Sequence, residues 1–336
     1  MLDVAAASGV SRATVSLVLR EEPRVSAETR RRVYDAMERL GYVYDRRAAN
    51  LRTRRSMTIG LVVTDVRNPY FAELAMALEE ALDDVGYSLL QGYSQDERER
   101  EARLLGVMVE HRVDGVILLP SKDTTAPDLH QRLVVAGMPH VLIARRVANH
   151  DADYVGVDNF RAGRLLAEHL ASEGHRRVAF LGGPRSTARS DRLRGLRAGL
   201  ARHGLTLDGA LSIVTGASRA EGIAAVEALL ELGPVPDAIA CYSDNVALGV
   251  VSGLRAAGLE PGSDVALGSF DDTPEASLQH PGLTSVATFP DQVGAEACRL
   301  LLDRIESPEL EPRRVLLTPQ LRVRASSTTR RRPRAA

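Results

Sequence analysis

In the first forty residues the apolar positions recur at helical spacing. Asp3–Ser8 reads as a short helix stopped by Gly9, because glycine accepts the left-handed conformation of a tight turn. Ser11 stands where an N-cap belongs. The helix it opens runs to about Arg20, with Val15, Val18 and Leu19 on one face and Arg12, Ala13 and Ser16 off it. A third helix, Ser26 to Leu40, has Ser26 as cap, Glu28 at its positive end and an apolar stripe of Val33, Met37 and Leu40, with Gly41 as its stop. Two short helices joined by a glycine turn form a helix-turn-helix, whose second helix fits the DNA major groove. Three-helix bundles are common, so spacing alone leaves DNA binding at even odds.

From Ser56 onward the period changes. Thr58–Thr64 is a continuous apolar, β-branched run, as expected of a buried parallel strand, and Pro69–Val85 follows as a helix. Further strands are predicted at Ser88–Gln91, Gly115–Leu119, His140–Ile143, Arg177–Leu181, Ala238–Cys241 and Val265–Ser269. Helical patterns at Glu99–Glu110, Ala162–Ser172, Arg192–Ala201, Ile223–Glu231, Val246–Ala256 and Gln292–Ile305 separate them. Such alternation predicts parallel sheets with helices on both faces, and its length suits two lobes. The fold class is α/β: a small all-α head and a two-lobed body.

Charge sharpens the division. Residues 1–55 hold 12 Arg and 7 acidic residues, a surplus of +5, whereas the rest of the chain carries −6. A basic head on an acidic body suits contact with a polyanion. The tail Arg330-Arg331-Arg332-Pro333-Arg334 has nothing apolar to bury, so 325–336 is expected to be a disordered basic tail. No apolar run reaches the roughly 18–20 residues of a membrane span, and no secretory signal core precedes the head, so the expected location is the cytoplasm. Cys241 and Cys298 are the only cysteines and read as free thiols, which leaves no cysteine-ligated zinc.

Catalytic signatures are missing: no Gly-x-Gly-x-x-Gly after the first strand, no Walker-type loop, no nucleophile elbow and no paired histidines at helical spacing. His169 and His175 read as surface residues. Lys122 is the sole lysine, with no supporting motif for Schiff-base chemistry. The body is therefore expected to bind rather than turn over a ligand, without metal or cofactor. In open α/β sheets ligands sit beyond the carboxyl ends of strands. The polar residues there are Asp65 and Asn68; Ser94, Gln95 and Asp96; Arg145; Asp158 and Asn159; Arg192, read as opening its helix; Asp244; and Asp271 with Asp272. Helix capping is the competing explanation for Asp158, Asp244 and Asp272.

The string Asp3-Val-Ala-x-x-x-Gly9-Val-Ser-x-x-Thr14-Val-Ser16, followed by Val25-Ser26-x-x-Thr29-Arg30-x-x-Val33 and Leu40-Gly41-Tyr42, resembles the head of the LacI/GalR family of transcriptional repressors. The body motifs Asn68-Pro-Tyr-Phe71, Val157-Asp-Asn159, Ser190-x-Arg192-x-x-Gly195, Ser243-Asp244-x-x-Ala-x-Gly249 and Phe270-Asp-Asp272 resemble the same family. The resemblance implies a periplasmic-binding-protein-like body. It places Ser11, Arg12, Ala13, Thr14, Ser16, Leu17 and Arg20 at DNA. It also makes 44–55 a hinge helix, with Asn50 and Leu51 in the minor groove and Leu51 as the wedge between base pairs. It turns Arg192 and Asp271 toward an effector between the lobes, joined by Asp65, Asn68, Arg145 and Asp244. Tyr70, Phe71, Phe160 and Phe270 would stack on a sugar face or a purine. The pattern departs in five places, among them Tyr44-Asp45 where Pro-Asn is frequent and Ser243 where Asn is common. The family's residues ahead of Asp3, including a capping Thr, are missing; Leu17 replaces a frequent Arg; and Phe289 replaces a frequent Gln at the lobe junction.

The expected organisation is a head at 1–43, the hinge at 44–55, a first lobe from 56–157 plus 289–324, and a second lobe at 158–288. The expected function is an effector-responsive, operator-binding repressor. It would work as a homodimer on double-stranded DNA and answer to a sugar more readily than to a purine. A free-standing cytoplasmic sugar-binding protein and a sugar-processing enzyme are the rival readings. The basic head argues against the first, and the missing motifs against the second.

Overall fold

The computed structural model describes residues 1–19, 22–42 and 55–328, which fall into two compact units, Met1–Ser56 and Met57–Ala336. In the first unit α1 (Leu2–Ser8), α2 (Arg12–Leu19) and α3 (Ala27–Leu40) enclose a core of Val4, Val15, Val18, Val33 and Ala36. No side chain caps α1, while Gly9 closes it at φ 65°. Ser11 Oγ accepts the Thr14 N–H at 3.0 Å and Ser26 Oγ that of Thr29 at 3.2 Å, so both predicted caps are in place. The stripe on α3 differs from the prediction: Ala36 is buried and Leu40 is exposed. Arg20, Tyr44, Asp45, Asn50, Leu51 and Arg330–Arg334 lie outside the described residues.

Each lobe of the second unit is built on a six-stranded sheet. The first contains β1 (Thr58–Val63), β2 (Ser88–Tyr93), β3 (Gly115–Leu118), β4 (His140–Ile143), β5 (Asp153–Val157) and, later in the chain, Arg314–Leu317 at its edge beside β5. All its pairings are parallel. Successive residues of β1 and β3 enter different cores. Ile59, Leu61, Val63 and Ile117 pack with α4 (Pro69–Asp83), whereas Val62, Val116 and Leu118 pack with α5 (Arg98–Glu110). That is the two-sided burial the continuous apolar runs predicted.

A short α6 (Ala126–Leu129) precedes β4. The chain enters the second lobe through α7 (Asn159–Ser172) and continues with β6 (Val178–Leu181), α8 (Thr187–Ala201), β7 (Ser212–Ile213), α9 (Arg219–Glu231), β8 (Ala238–Cys241), α10 (Asp244–Ala256), β9 (Ala266–Asp271), α11 (Pro274–Leu278) and β10 (Thr284–Ala287). It returns to the first lobe for α12 (Pro290–Glu306) and β11 (Arg314–Leu317), then crosses again. Gln320–Arg322, expected in the first lobe, forms β12 of the second sheet, antiparallel to β10.

Two further expectations are corrected here. Residues 325–328 form α13 rather than the start of a loose tail. Ser327 Oγ lies 2.7 Å from His169 Nε2 and 2.6 Å from Thr284 Oγ1, and Ser326 Oγ donates to the Leu267 carbonyl at 2.7 Å. His169 is therefore half-buried, and His175 is buried with its Nε2 3.2 Å from the Ser327 carbonyl, so neither is a surface residue.

Glycines bring α7 and α8 into backbone contact. A Cβ on Gly163 would stand 2.1 Å from the Arg192 carbonyl oxygen, and one on Gly195 2.0 Å from the Phe160 carbonyl oxygen. Gly195→Ala is expected to cost about 1–3 kcal/mol, because backbone cannot swing aside as a side chain does. Gly106→Ala on α5, where an added Cβ meets nothing within 4 Å, should be neutral or stabilising. Urea unfolding midpoints of the two variants test this, and equal midpoints would contradict the close packing.

Candidate functional site

The carboxyl ends of the strands in both sheets face a cleft between the lobes. At its centre is a small cavity of about 60 Å³ lined by residues that include Asn68, Tyr70, Arg145, Asn159, Arg192 and Asp271. Arg192 organises it. From the second turn of α8, and not from its start as the sequence suggested, its Nε donates to Asn159 Oδ1 at 2.7 Å. One terminal nitrogen donates to the Tyr242 carbonyl, and the other lies 3.6 Å from Asp271 Oδ1. The guanidinium carbon sits 4.5 Å from the centre of the Phe270 ring and 5.0 Å from that of Tyr242.

Asp271 ends β9 at φ 112° and Asp272 follows at φ 58°, two successive non-glycine residues in a costly conformation. Burial pushes the Asp271 carboxyl up to about 8, against the pull of Arg192. Burial likewise raises the Tyr70 hydroxyl. On the opposite wall, Asn68 Oδ1 caps α4 through the Tyr70 N–H at 3.2 Å, and the Tyr70 and Phe71 rings meet edge to face at 5.2 Å. Arg145 donates to Asp96 and, at 3.2 Å, to the Pro120 carbonyl.

A larger cavity of about 730 Å³ shares Asn68, Phe71 and Arg145 with the central one and extends past Asp65, Gln95 and Asp96. Asp65 there is held by Arg67, with nitrogen–oxygen distances of 2.8–3.1 Å, and this pairing keeps its carboxyl below the usual range.

Five predicted effector contacts do not line the central cavity, and one of them, Asp65, lines the larger cavity instead. Phe270 is fully buried beneath Arg192, so its face is not open to a ligand. Asp244 is sealed in a structural knot: it takes the hydroxyls of Ser269 and, at 2.7 Å, Ser285, together with the Thr273 N–H at 2.7 Å. Burial raises its carboxyl to about 6 against those hydrogen bonds. Nor does Asp244 cap its helix, since Ser243 accepts the Val246 N–H at 3.3 Å. Phe160 lies under Arg194, 5.5 Å away, beside a separate recess, and Phe289 lines none of the cleft cavities described here. Asp272 is not a cap either: it pairs with Arg324 at 2.7 Å, whereas Asp158 does cap α7 through the Arg161 N–H. Tyr242, Tyr154 and Thr288 carry no sequence signal, yet Tyr242 and Thr288 line the central cavity and Tyr154 the recess.

In the head, Ser11, Arg12 and Ala13 are exposed on the side of α2 away from its core, while Thr14, Ser16 and Leu17 are partly buried. Ser11 and Thr14 share a hydroxyl hydrogen bond of 2.9 Å within the cap. Among the described residues no carboxylate forms an ion pair with Arg12, which is exposed.

The Asp271 shift fixes a pH dependence. The native state keeps this proton to about 8, whereas an ordinary aspartate releases it near 3.8. Between those values the folded chain binds more protons, so stability falls as pH rises. Asp244, raised to about 6, adds a slope of the same sign over the lower part of that range. Asp271→Asn should flatten the decline between pH 5 and 8, as read from urea midpoints. Parallel pH curves for parent and variant would show that burial does not hold Asp271 protonated.

Two family models match the chain. Bacterial regulatory proteins of the lacI family cover residues 1–45, and periplasmic binding proteins and sugar binding domain of the LacI family cover 56–325. Among curated relatives, the regulator CelR of Thermobifida fusca is 36% identical, with 96% of each chain aligned. The ribose operon repressor of Escherichia coli K12 is 31% identical, over 97% of this chain and 99% of its own. Among solved structures, a CelR–cellobiose complex matches at 34% identity and TM-score 0.73, covering 96% of this chain and 98% of the other. A lac repressor dimer bound to operator and an anti-inducer matches at 25% and 0.83, covering 98% of each. The chain thus belongs to the LacI family of bacterial regulatory proteins and is a DNA-binding transcriptional regulator rather than an enzyme.

Proposed function

We propose that this regulator is a cytoplasmic repressor that binds a pseudopalindromic operator as a homodimer and answers to a sugar held between its lobes. The observation that carries this reading is the coexistence, on one chain, of an exposed Arg12 on the second head helix and a buried Arg192–Asp271 pair in the cleft. Arg12 and Ala13 meet base edges, with Ser11, Thr14, Ser16 and Arg20 nearer phosphate and Leu17 facing the DNA without a polar group. Residues 44–55 act as hinge, with Asn50 beside the minor groove and Leu51 as its wedge. In the cleft a guanidinium, an amide and a carboxyl suit a polyol, because sugar hydroxyls both donate and accept. The relatives named for ribose and cellobiose support a sugar. Effector binding at the cleft biases the lobes, and through them the operator affinity.

Arg12→Ala should cost about 1–3 kcal/mol at one operator position and relax specificity there. Binding every single-position operator variant as the parent does would remove Arg12 from the base edges. Arg192→Ala should abolish the effector's influence on operator binding, measured by fluorescence anisotropy with titrated sugar. Equal titrations for parent and variant would overturn the cleft assignment.

A further inference from the structure

Beside the central cavity lies a third chamber of about 410 Å³, and its walls are conspicuously basic. The first lobe contributes Lys122, Arg145 and Arg146. The second lobe contributes Arg185 and Arg194, and Asp191 is the sole acidic residue in the lining. Three of these cations already have carboxylates. Arg145 pairs with Asp96, Arg146 with Asp191 at 2.7 Å, and Arg194 with the same Asp191 at 2.9 Å. Lys122 and Arg185 have no ion pair among the described residues, and both are exposed to the chamber's solvent.

The loop that carries Lys122 is held in place from behind. The buried Glu101 carboxylate accepts the Ser121 N–H at 2.5 Å and the Thr124 hydroxyl at 2.7 Å, and Asp96 accepts the Lys122 N–H at 2.9 Å. Across the chamber, Arg185 follows Pro184 at the mouth of α8, whose first residue Thr187 accepts the Arg146 N–H at 3.0 Å. A cation with no ion pair among the described residues therefore faces this chamber from each lobe on anchored backbone, and both cations also border the larger cavity, whose walls hold Asp65, Asp96, Glu97, Asp123 and Glu221. Without an anion, bringing the lobes together brings these like charges together. With one, the same approach becomes favourable.

We propose that the effector carries an anionic group, a phosphate or a carboxylate on a sugar, which Lys122 and Arg185 bind from opposite lobes. The inference rests on the sugar reading above. The polyol part occupies the cavity at Arg192 and Asp271, and the anion occupies the basic chamber, which shares Arg145 with it. Lysine provides a compact point charge and arginine a planar fork, so the pair suits a tetrahedral phosphate as well as a planar carboxylate. A ligand gripped from both lobes stabilises the closed arrangement more than the open one, which is the differential affinity any effector needs.

The test uses the full chain and isothermal titration with glucose 6-phosphate, ribose 5-phosphate, glucuronate and gluconate, each beside its neutral sugar. At least one charged sugar should bind roughly tenfold or more tightly than its neutral counterpart, and that advantage should shrink as salt rises. Which charged sugars show it separates phosphate from carboxylate. In Lys122→Gln and Arg185→Gln the advantage should disappear while the neutral sugar binds as before. Inorganic phosphate should raise the thermal midpoint of the parent more than that of the double variant. Neutral sugars binding as tightly as charged ones, or an advantage untouched by both substitutions, would overturn the anionic effector and leave the sugar reading standing. No binding by any sugar, neutral or charged, would remove both.

Discussion

A guanidinium placed in a protein interior must find carboxyl groups, carbonyls or rings to replace its water, and Arg192 finds all three. Its partners arrive from separate elements: Asn159 from the start of α7, Tyr242 from the end of β8, and Phe270 and Asp271 from the end of β9. Satisfying one cation thus fixes four chain segments at the face of the second lobe that looks across the cleft. The glycines at 163 and 195 belong to the same constraint. Only with α7 and α8 in backbone contact does the side chain at 192 reach Asn159. The strained backbone at Asp271 and Asp272 is likewise tolerable because the surrounding bonds over-determine it.

The local elements were readable wherever one periodicity ran long enough. The strand at Thr58 and the helix at Pro69 lie within two residues of their expected ends, and Ser11, Ser26 and Gly41 do what cap and stop residues do. The strands left unseen are short or polar. Thr284–Ala287 and Gln320–Arg322 owe their strand form to pairing with each other and with β9, a long-range condition that no local pattern contains.

In the cleft, the rule that ligands sit at strand ends brought Asn68, Arg145, Asn159, Arg192 and Asp271 to one place. It failed for Asp244, and the resemblance failed for Phe270, which lies within β9. The direction of each side chain is decided by neighbours far away in the chain. Ser269, Ser285 and Thr273 saturate the Asp244 carboxylate, and Arg192 lies over the Phe270 ring. Tyr242 escaped notice because its backbone carbonyl and ring face hold Arg192, roles that residue type does not advertise. The disposition of residues 325–328 was hidden for a similar reason. Two serines and a threonine look solvated until His169 and Thr284 are brought to them.

The cleft divides its work by how its charges are compensated. Around Arg192 the polar groups already hydrogen-bond or pack with one another, so a ligand there exchanges one set of hydrogen bonds for another. Affinity in that cavity depends on how well hydroxyls match fixed directions, which is a test of shape. At Lys122 and Arg185 no ion pair among the described residues is given up when an anion enters, so the interaction adds to binding instead of replacing an existing bond. Because those two residues stand on different lobes, the gain depends on the distance between lobes, while the Arg192–Asp271–Asn159 set lies within one lobe and is indifferent to it. Selecting the effector and driving the conformational change are then tasks of different residues. A ligand that also bridges Lys122 and Arg185 shifts the lobe equilibrium more than one that fills the inner cavity alone, because only a difference in affinity between the two arrangements moves their populations.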